Sequence, residues 1–470
     1  MPLPVVSVSQ MRAWEELTWD QGIETAAVME KAGHSLALEA LSTTKPGDFI
    51  VLLAGKGNNG GDTQIASKLL PGRETLLITI SAPFEAIRDV ELALQRRPAC
   101  IIDGLFGIGL NRDLDSGWAR IIEMVNQSGR PVLSVDCPSG LNADTGLARG
   151  ESIIAQTTIT FGAPKRGLIL DKAAKYVGRL KVAGNIGLLE PPPEVDEQWL
   201  TEADMYSILP KRPPESHKGD HGHLAIIAGS TGYHGAAVLS ARAALRARPG
   251  LVSVFTPSYQ AVAAHLQDVM VHPWGTECVN ALSRSSAVLI GPGLAGSDVD
   301  DSLKLLAHNL WKESIKPIIA DASALDWLPK EAGPNGSPRI ITPHPGEAAR
   351  LLGCSAVQVQ EERVKSARKL ADLYKATVLL KGRHTIIAEN KGPVLINSTG
   401  NAGLAQGGSG DVLAGYLGSL MAQPSFQRET IQASACSAWR HGYCADLLDE
   451  SKYYWGMDDL IKELGRNEFH

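Results

Sequence analysis

Six polar side chains follow three apolar segments in the first half of the chain, FIVLLAG, ACII and PVLSV. They are Asn58, Asn59, Asp62, Asp103, Asp136 and Ser139. Any one of them alone would suit a helix cap or a turn. If the segments are parallel strands, their carboxyl ends meet at one sheet edge, where open α/β folds bind ligands. Carboxylate and amide oxygens there suit a hard cation or a ribose hydroxyl. Polar side chains at all three strand ends together therefore favour a binding site.

A second candidate site is predicted by NAGLAQGGSGDVLAG at residues 401–415. Gly407, Gly408 and Gly410 crowd a turn before an apolar helical segment that opens at Asp411. Backbone N–H groups and the helix dipole bind anions at such a turn. An aspartate there can take the proton of an accepting hydroxyl while the amides hold phosphoryl oxygens. Helix capping is the structural alternative for Asp411, and no Walker-type G-x-x-x-x-G-K-[ST] motif occurs.

Four further motifs of the second half contain glycine, histidine or proline near predicted strands. HKGDHGH at 217–223 lacks the partner cluster that a zinc site needs, which favours a structured loop leading into a strand. GSTGYHGA and GPGL follow predicted strands, and their glycines permit close approach of a ligand. TPHPGE holds His344 and Glu347 in a proline-fixed turn, where a binding role and a structural role are both open.

The elements that must position these residues alternate between strands and helices. FIVLLAG, TLLITI, ACIIDGLFG, PVLSVDCPSG and TTITFG are predicted strands separated by helical segments, which is typical of βαβ units with a parallel sheet. A helical N-terminal arm precedes them. Residues 191–217 contain two proline clusters, so a boundary near residue 205 is expected, with domains 1–205 and 206–470. The strand and helix alternation then starts again at HLAIIAGSTG.

Length and composition limit the function classes. A chain of 470 residues favours two domains, and a net charge of −6 gives no general attraction for nucleic acid or anionic membranes. No secretory signal opens the sequence, and no apolar run is long enough to cross a bilayer. The six cysteines include no C-x-x-C pair. We therefore expect a cytoplasmic protein without a membrane or nucleic-acid partner.

The motifs of the two halves resemble two enzyme families. KGNNGGD, IIDGLFGIGL, VDCPSGLNADTG and TFGAPKRG resemble the NAD(P)H-hydrate epimerases. HKGDHGH, GAAVLSARAALR, GPGL, TPHPGEAARLLG and GNAGLAQGGSGDVLAG resemble the ADP-dependent NAD(P)H-hydrate dehydratases. The resemblance covers nearly the whole chain. It implies an α/β fold with an N-terminal Rossmann-like three-layer parallel-sheet domain and a C-terminal ribokinase-like domain.

The resemblance also implies a repair activity on nicotinamide cofactors. Water adds across the 5,6 double bond of NADH or NADPH and leaves a hydroxyl at C6, as R and S epimers. The epimerase, an isomerase, interconverts them. The dehydratase, a lyase, restores the reduced cofactor from the S epimer by converting ADP to AMP and phosphate. Implied cofactors are ADP, with ATP as the alternative, and K⁺ and Mg²⁺. NADHX or NADPHX is the implied substrate, and an assembly of identical chains is implied.

Site residues transfer by position from the two families. Implied catalytic residues are Asp136, as the epimerase acid/base, and Asp411, as the dehydratase base. Implied substrate-binding residues of the first domain are Asn58, Asn59, Gly60, Gly61, Asp62, Gly107, Ile108, Gly109, Leu110, Asn111, Arg112, Asp113 and Asp136. Those of the second are Ala236, Gly293, His344 and Asp411. Potassium is assigned to Asn59, Asp103 and Ser139, and the adenine nucleotide to Lys381, Gly382, Arg383, His384, Thr385 and Gly410.

The sequence departs from the family patterns at three places. Thr63 follows Asp62 where glycine is usual, and a β-branched residue disfavours positive φ, so we expect this turn to differ. Arg383 and His384 replace small residues, and they could add phosphate contacts or obstruct the nucleotide site. YYWG at 453–456 replaces a small basic turn.

Two other function classes remain open from the residues alone. GSGD also fits a ribokinase-like small-molecule kinase with a nucleotide-binding N-terminal domain, which would phosphorylate an alcohol such as pyridoxal or hydroxymethylpyrimidine and stop there. The first domain could also be a non-catalytic module that binds a nucleotide-derived ligand. The Asp and Asn set at three strand ends argues against that last alternative.

Overall fold

The computed structural model describes residues 2–466 except 111, 192–194, 207, 209–211, 276–277, 279–281 and 453, so Asn111 and Tyr453 lie outside the described residues. The chain forms two compact units, Leu3–Val195 and Asp196–His470. This division lies earlier than the boundary expected near residue 205. The reason is that Glu197–Trp199 is a strand paired in parallel with Val394–Ile396 of the second unit.

The first unit is built on a parallel sheet. Leu3–Pro4 forms a two-residue strand, β1, before this sheet. The strands of the sheet are β2 (Phe49–Ala54), β3 (Glu74–Thr79), β4 (Cys100–Gly104), β5 (Val132–Val135), β6 (Thr157–Phe161) and β7 (Arg179–Ala183). The sheet order is β3-β2-β4-β5-β6-β7, and all these pairings are parallel. The chain leaves β2 for β3 on one side and returns for β4 on the other. A crevice at the carboxyl ends of β2 and β4 follows from that reversal.

Helices cover this sheet on both faces. They are α1 (Val8–Asp20), α2 (Thr25–Thr43), α3 (Asn58–Ser67), α4 (Pro83–Gln95), α5 (Ser116–Gln127) and α6 (Ala174–Val177). Successive residues of β2 alternate between two cores: Ile50 and Leu52 pack with α2, whereas Val51 and Leu53 pack with α5. A parallel strand buried on both faces has this continuous apolar sequence. The three-layer arrangement predicted for the first half is confirmed.

The second unit contains a longer mixed sheet. Its strands are β8 (Glu197–Trp199), β9 (His223–Ile227), β10 (Leu251–Thr256), β11 (Met270–Pro273), β12 (Ala287–Ile290), β13 (Ile318–Ala320), β14 (Arg339–Ile341), β15 (Thr377–Leu380), β16 (Ile386–Ala388) and β17 (Val394–Ile396). Their order is β8-β17-β16-β15-β14-β13-β12-β9-β10-β11. The antiparallel partners are β15 with β16 and β16 with β17.

One helix runs through the core of the second unit. The helices are α7 (Glu202–Tyr206), α8 (His234–Arg246), α9 (Tyr259–Ala263), α10 (Asp301–Glu313), α11 (Pro345–Leu352), α12 (Ala356–Glu361), α13 (Arg363–Tyr374), α14 (Ser409–Ala422), α15 (Thr430–Ser451) and α16 (Met457–Leu464). Every residue of α14 from Val412 to Ala422 is buried. A helix that is apolar on all sides belongs in a core, and this burial fixes the glycine turn at its start. Among the described residues, no helix combines the length and apolarity needed to span a membrane.

Candidate active sites

A cavity of about 690 Å³ lies at the carboxyl ends of β2 and β4 in the first unit. The loops after β2, β4, β5 and β6 line it together with α1 and α2. Of the residues predicted to bind substrate, those that line the cavity are Asn58, Asn59, Asp62, Gly107, Ile108, Gly109, Leu110, Arg112 and Asp136. Gly60, Gly61 and Asp113 lie outside this lining. The structure thus brings most of the residues predicted at the strand ends to one cavity.

Asp136 occupies a strained position beside a buried cation. Its φ of 62° lies in the left-handed region, which is rare for a residue other than glycine and typical of functional sites. Its Oδ1 accepts from Lys165 Nζ at 2.6 Å, Thr160 Oγ1 at 3.0 Å and the Phe161 N–H at 3.3 Å. Three donors on one oxygen, one of them charged, favour the ionised carboxylate.

Asp62 is in the opposite environment, although it lines the same cavity. Its side chain is buried, and among the described residues it makes no hydrogen bond or ion pair. Burial raises the pKa of Asp62 to about 8, and the charges of Asp136 and Glu15 add to that shift. Burial also raises the pKa of Glu15, where Lys165 opposes the shift and Asp136 reinforces it. At neutral pH the cavity therefore presents a protonated Asp62.

The three residues predicted to bind potassium are joined by one hydrogen-bond network. The fully buried Asp103 accepts from Ser139 Oγ at 2.5 Å, Ser139 N–H at 2.9 Å and Ser134 Oγ at 2.9 Å. Asn59 Nδ2 donates to the carbonyl oxygens of Val135 at 2.5 Å and Phe106 at 3.2 Å. The Phe106 carbonyl also lies 3.4 Å from Ser139 Oγ.

Thr63 does not alter a turn, contrary to the expectation from its β-branched side chain. It lies inside α3, where its Oγ1 donates to the Asn59 carbonyl at 2.7 Å. A Cβ on Gly104 would lie 1.9 Å from this hydroxyl, so Thr63 fills the space above that glycine. Because the backbone here is helical, the objection based on positive φ does not apply.

The second candidate site lies at the start of α14. The N-cap residue of this helix is Gly408 at φ 94°, so Asp411 lies in the first turn and is not the cap. Burial raises the pKa of Asp411 to about 7; the Asp321 carboxylate adds to the shift and Lys381 opposes it. His441 Nε2 donates to the Ser409 carbonyl at 3.1 Å, and burial lowers the pKa of His441 to about 4. A neutral histidine therefore anchors the first turn of the helix.

Lys381 is placed among carboxylates. Its Nζ lies 2.7 Å from Asp321 Oδ1 and 4.0 Å from Glu347 Oε2. Thr342 Oγ1 donates to the same Asp321 oxygen at 2.7 Å. Burial alone would lower the pKa of Lys381, but the charges of Asp321, Glu347 and Asp411 raise it. A Cβ on Gly410 would lie 3.4 Å from Lys381 Nζ, so the ammonium also borders the glycine turn.

Asp321 and Lys165 were not among the site residues predicted from the sequence. Asp321 follows β13 in PIIADAS, which is the same strand-then-aspartate signal that selected Asp103 and Asp136. Lys165 lies in the quoted TFGAPKRG, four positions after the last residue of β6, Phe161. No local pattern marks Lys165 as the partner of Asp136.

The remaining residues predicted to bind the hydrate in the second unit have different settings. Ala236 lies in the first turn of α8 near Gly293, where an added Cβ would lie 2.7 Å from the Ala236 Cβ. His344 caps α11: its Nδ1 accepts from the N–H groups of Gly346 and Glu347 at 3.0 Å and 3.2 Å. Its own N–H donates to the Glu347 carboxylate at 2.7 Å. This capping role fixes the imidazole at the start of the helix.

The loop Lys381–Thr385 accommodates two bulky residues. His384 has φ 52°, the conformation that favours the glycine usual in the resembled family. Its Nδ1 lies 3.2 Å from the Asn397 carbonyl, its ring packs 4.9 Å from Trp199, and burial lowers its pKa well below the ordinary value. The guanidinium of Arg363 donates to the carbonyls of residues 380, 381 and 383.

The histidines of HKGDHGH make separate local contacts. His217 caps a short 3₁₀ helix that leads into β9, which confirms the predicted structured loop. His221 Nε2 lies 2.8 Å from Ser216 Oγ, and His223 Nε2 lies 2.8 Å from Ser253 Oγ. Within the described ranges, no three His, Cys, Asp or Glu side chains cluster as a metal-ligand set.

Comparisons with known proteins cover nearly the whole chain. A family model described as NAD(P)H-hydrate dehydratase matches residues 224–466, and one described as YjeF-related protein N-terminus matches residues 74–167. The chain is 33% identical to the bifunctional NAD(P)H-hydrate repair enzyme Nnr of Coxiella burnetii, covering 94% of each chain. It is 34% identical to the enzyme of that name from Escherichia coli K12, covering 95% of this chain and 90% of the relative.

The second half also resembles solved structures. One of them is an ADP/ATP-dependent NAD(P)H-hydrate dehydratase from Bacillus subtilis, co-crystallised with ATP and Mg²⁺. The similarity has a TM-score of 0.50 at 30% identity and covers 56% of this chain and 95% of that one.

Proposed function

The chain belongs to the family of bifunctional NAD(P)H-hydrate repair enzymes, and from that premise we propose that its first unit carries the epimerase and its second unit the dehydratase. The enzyme interconverts the R and S hydrates and dehydrates the S hydrate to NAD(P)H. The assignment of one activity to each unit is supported by the charged side chains that each unit holds. Each unit holds an aspartate–lysine ion pair near a second carboxyl, at the carboxyl ends of parallel strands; the pair and Asp62 are buried in the first unit, whereas Lys381 and Asp411 are half-buried in the second.

In the first unit, the cavity after β2 and β4 is the proposed hydrate site. Asp136 is its acid/base residue, because it lines the cavity and its carboxylate is fixed by the ion pair with Lys165. Arg12, Lys56 and Arg112 also line the cavity. Their positive charges suit the diphosphate of a dinucleotide.

Asp103, Asn59 and Ser139 fit a potassium ion because their side chains offer carboxylate, amide and hydroxyl oxygens, the donors that a hard cation prefers. When bound, the ion would add a fixed positive charge beneath the substrate loops. We propose these three residues as its ligands.

In the second unit, Asp411 is the proposed base that receives the proton of the C6 hydroxyl. Hydroxide leaves poorly and phosphate leaves well, so phosphorylation of this hydroxyl prepares the elimination. A base with a pKa of about 7 is half ionised at neutral pH, which suits that proton transfer. The N–H groups of the glycine turn, including Gly410, face the position of the transferred phosphoryl group, and Lys381 neutralises its charge.

ADP is the proposed phosphoryl donor, with ATP as the alternative, and the loop Lys381–Thr385 is its proposed binding segment. Mg²⁺ is proposed to bind with the nucleotide phosphates; the carboxylates of Asp321 and Glu347 already face the ammonium of Lys381 and are not assigned as its ligands. When bound, Mg²⁺ would neutralise the phosphates. His344 and the neighbouring pair Ala236 and Gly293 are the proposed hydrate contacts of this unit.

The test is recovery of reduced cofactor from an R,S mixture of NADHX with ADP, Mg²⁺ and K⁺, followed by absorbance. Recovery of the whole mixture is expected, because epimerisation feeds the R form into the dehydratase. Recovery of only the S half would reject the epimerase assignment. A stable phosphorylated product from pyridoxal or hydroxymethylpyrimidine, without recovery of NADH, would instead establish the kinase.

A cytoplasmic location and an assembly of identical chains complete the proposal. Among the described residues no cysteine forms a disulfide, which suits a reducing compartment. Light scattering on the purified chain tests the assembly, and a monomer at working concentration would reject it.

A further inference from the structure

Two carboxyl groups on the walls of the first-unit cavity have opposite hydrogen-bond environments. All three donors to the Asp136 carboxylate reach Oδ1. Among the described residues no donor reaches its Oδ2, so that oxygen is left for the cavity. Asp62 lines the same cavity, is buried, and receives no donor on either oxygen in the described part of the chain. A carboxyl without donors is favoured in its neutral form, whereas a carboxyl with a lysine partner is favoured in its charged form.

Lys165 enforces this difference without reaching the substrate. Its ammonium has three protons, and its three acceptors are Asp136 Oδ1 at 2.6 Å, the Phe161 carbonyl at 2.9 Å and Thr160 Oγ1 at 3.0 Å. With every proton engaged by the protein, it acts as a positioning residue. It holds Oδ1 against the wall and thereby turns Oδ2 of Asp136 toward the cavity.

We propose that epimerisation uses Asp62 as the proton donor and Asp136 as the base, with Lys165 fixing these two roles. The proposal rests on the proposed epimerase function of the first unit. It assigns to Asp62 a chemical step in addition to substrate binding.

The step exchanges the oxygen at C6. Asp62 gives its proton to the C6 hydroxyl, the C6–O bond breaks as the N1 lone pair forms an N1=C6 double bond, and water leaves. A second water attacks the opposite face of C6, its oxygen forms the new C6–O bond, and the N1=C6 electron pair returns to N1. Asp136 takes the proton of that water. One proton has moved from Asp62 to Asp136, and the reverse reaction or solvent returns it.

The pH dependence of the step follows from the charges that face Asp62. Glu15 and Asp136 raise its pKa together with burial, which places it at about 8. Arg12 on α1, Lys56 after β2, Lys165 after β6 and Arg112 after β4 are the basic residues that also line the cavity. Because Asp62 must be protonated to act, the rate should fall as the pH rises through about 8.

The experiment measures conversion of R-enriched NADHX to the S form by chromatography, without ADP or ATP, so that the second unit is silent. The full chain is compared with Asp62→Asn, Asp62→Glu and the control Asp89→Asn, which lies exposed on α4. We expect Asp62→Asn to lower kcat by about 100-fold while KM changes by less than about threefold. The alkaline decline should disappear in this variant and persist in Asp62→Glu. In H₂¹⁸O, each wild-type conversion should place one labelled oxygen at C6.

Three results would overturn the inference. The first is a kcat for Asp62→Asn within about threefold of the control, where the typical contribution of a general acid is about 100-fold or more. The second is a defect confined to KM, which would leave Asp62 a binding residue. The third is epimerisation that retains the original oxygen, which would exclude C6–O cleavage. A wild-type enzyme that does not epimerise at all would reject the proposed function, and the inference with it.

Discussion

The two candidate sites use the same parts in different surroundings. The first unit pairs Lys165 with Asp136 at 2.6 Å, and the second pairs Lys381 with Asp321 at 2.7 Å. Near each pair lies a further carboxyl whose pKa is raised by desolvation: the buried Asp62 to about 8 and the half-buried Asp411 to about 7. Both sets lie at the carboxyl ends of parallel strands, where unpaired backbone groups and loops are available.

The difference lies in what faces the second carboxyl. The Asp136 and Glu15 charges reinforce the shift at Asp62. At Asp411 the Asp321 carboxylate also adds to the shift, but the ammonium of Lys381 opposes it, and the residue stands in the first turn of α14, where the helix dipole favours a negative charge. The same side chain can therefore serve as an acid in one unit and as a base in the other. The neighbouring cation decides which role it has.

The largest expected effect comes from removing the base. Asp411→Asn keeps the shape of the side chain but cannot accept the proton of the C6 hydroxyl. We expect the dehydration rate of S-NADHX with ADP to fall by about 1,000-fold, while R-to-S conversion without nucleotide stays unchanged. Single-turnover absorbance kinetics measure the first rate and chromatography the second. If both rates fell together, the assignment of one activity to each unit would be wrong.

Removing the charge of Lys381 should raise the pKa of Asp411 toward that of Asp62. Lys381→Met takes away the charge that lowers the pKa of Asp411, so the pH at which dehydration begins should move above about 7. The rate at neutral pH should fall by about 100-fold, because phosphoryl charge also loses a partner. The pH profile of S-NADHX dehydration tests this expectation, with Lys381→Arg as the control that keeps the charge. An unshifted profile in Lys381→Met would show that Lys381 does not tune Asp411.

The carboxyl group of Asp62 should destabilise the folded protein at high pH, and an asparagine at this position should not. Its folded-state pKa of about 8 lies above the value of about 4 in the unfolded chain, so its contribution to stability is complete below about pH 4 and is lost progressively as the pH rises from there through about 8. Asp62→Asn removes this dependence. We expect the variant to unfold at a temperature higher by about 2–4 °C at alkaline pH, with a smaller difference at acid pH. Thermal unfolding of the variant and of Asp89→Asn tests it; a destabilised Asp62→Asn would contradict a neutral Asp62.

How far the sequence predicted these sites depended on whether the signal was local. Asp103 and Asp136 could be selected because an aspartate after a buried strand is visible in a few residues, and Asp321 carried the same signal unused. Lys165 could not be selected, because its contact with Asp136 joins loops that follow different strands. The boundary near residue 205 missed β8, since a strand of three residues, EQW, has no apolar alternation to mark it.

The smallest expected effect concerns the loop Lys381–Thr385, which is the proposed nucleotide-binding segment of the second unit. In His384→Gly, glycine relieves a left-handed backbone that costs a histidine about 1 kcal/mol. The variant also loses the bond to the Asn397 carbonyl and the packing on Trp199, a loss of about 1 kcal/mol. Because these terms oppose each other, the free energy of unfolding should change by less than about 1 kcal/mol, and KM for ADP by less than about twofold. Denaturant titration and dehydration kinetics measure the two quantities. A tenfold fall in KM would show instead that the imidazole obstructs the nucleotide site. The second unit, unlike the first, would then contain a side chain that weakens the binding of its own ligand.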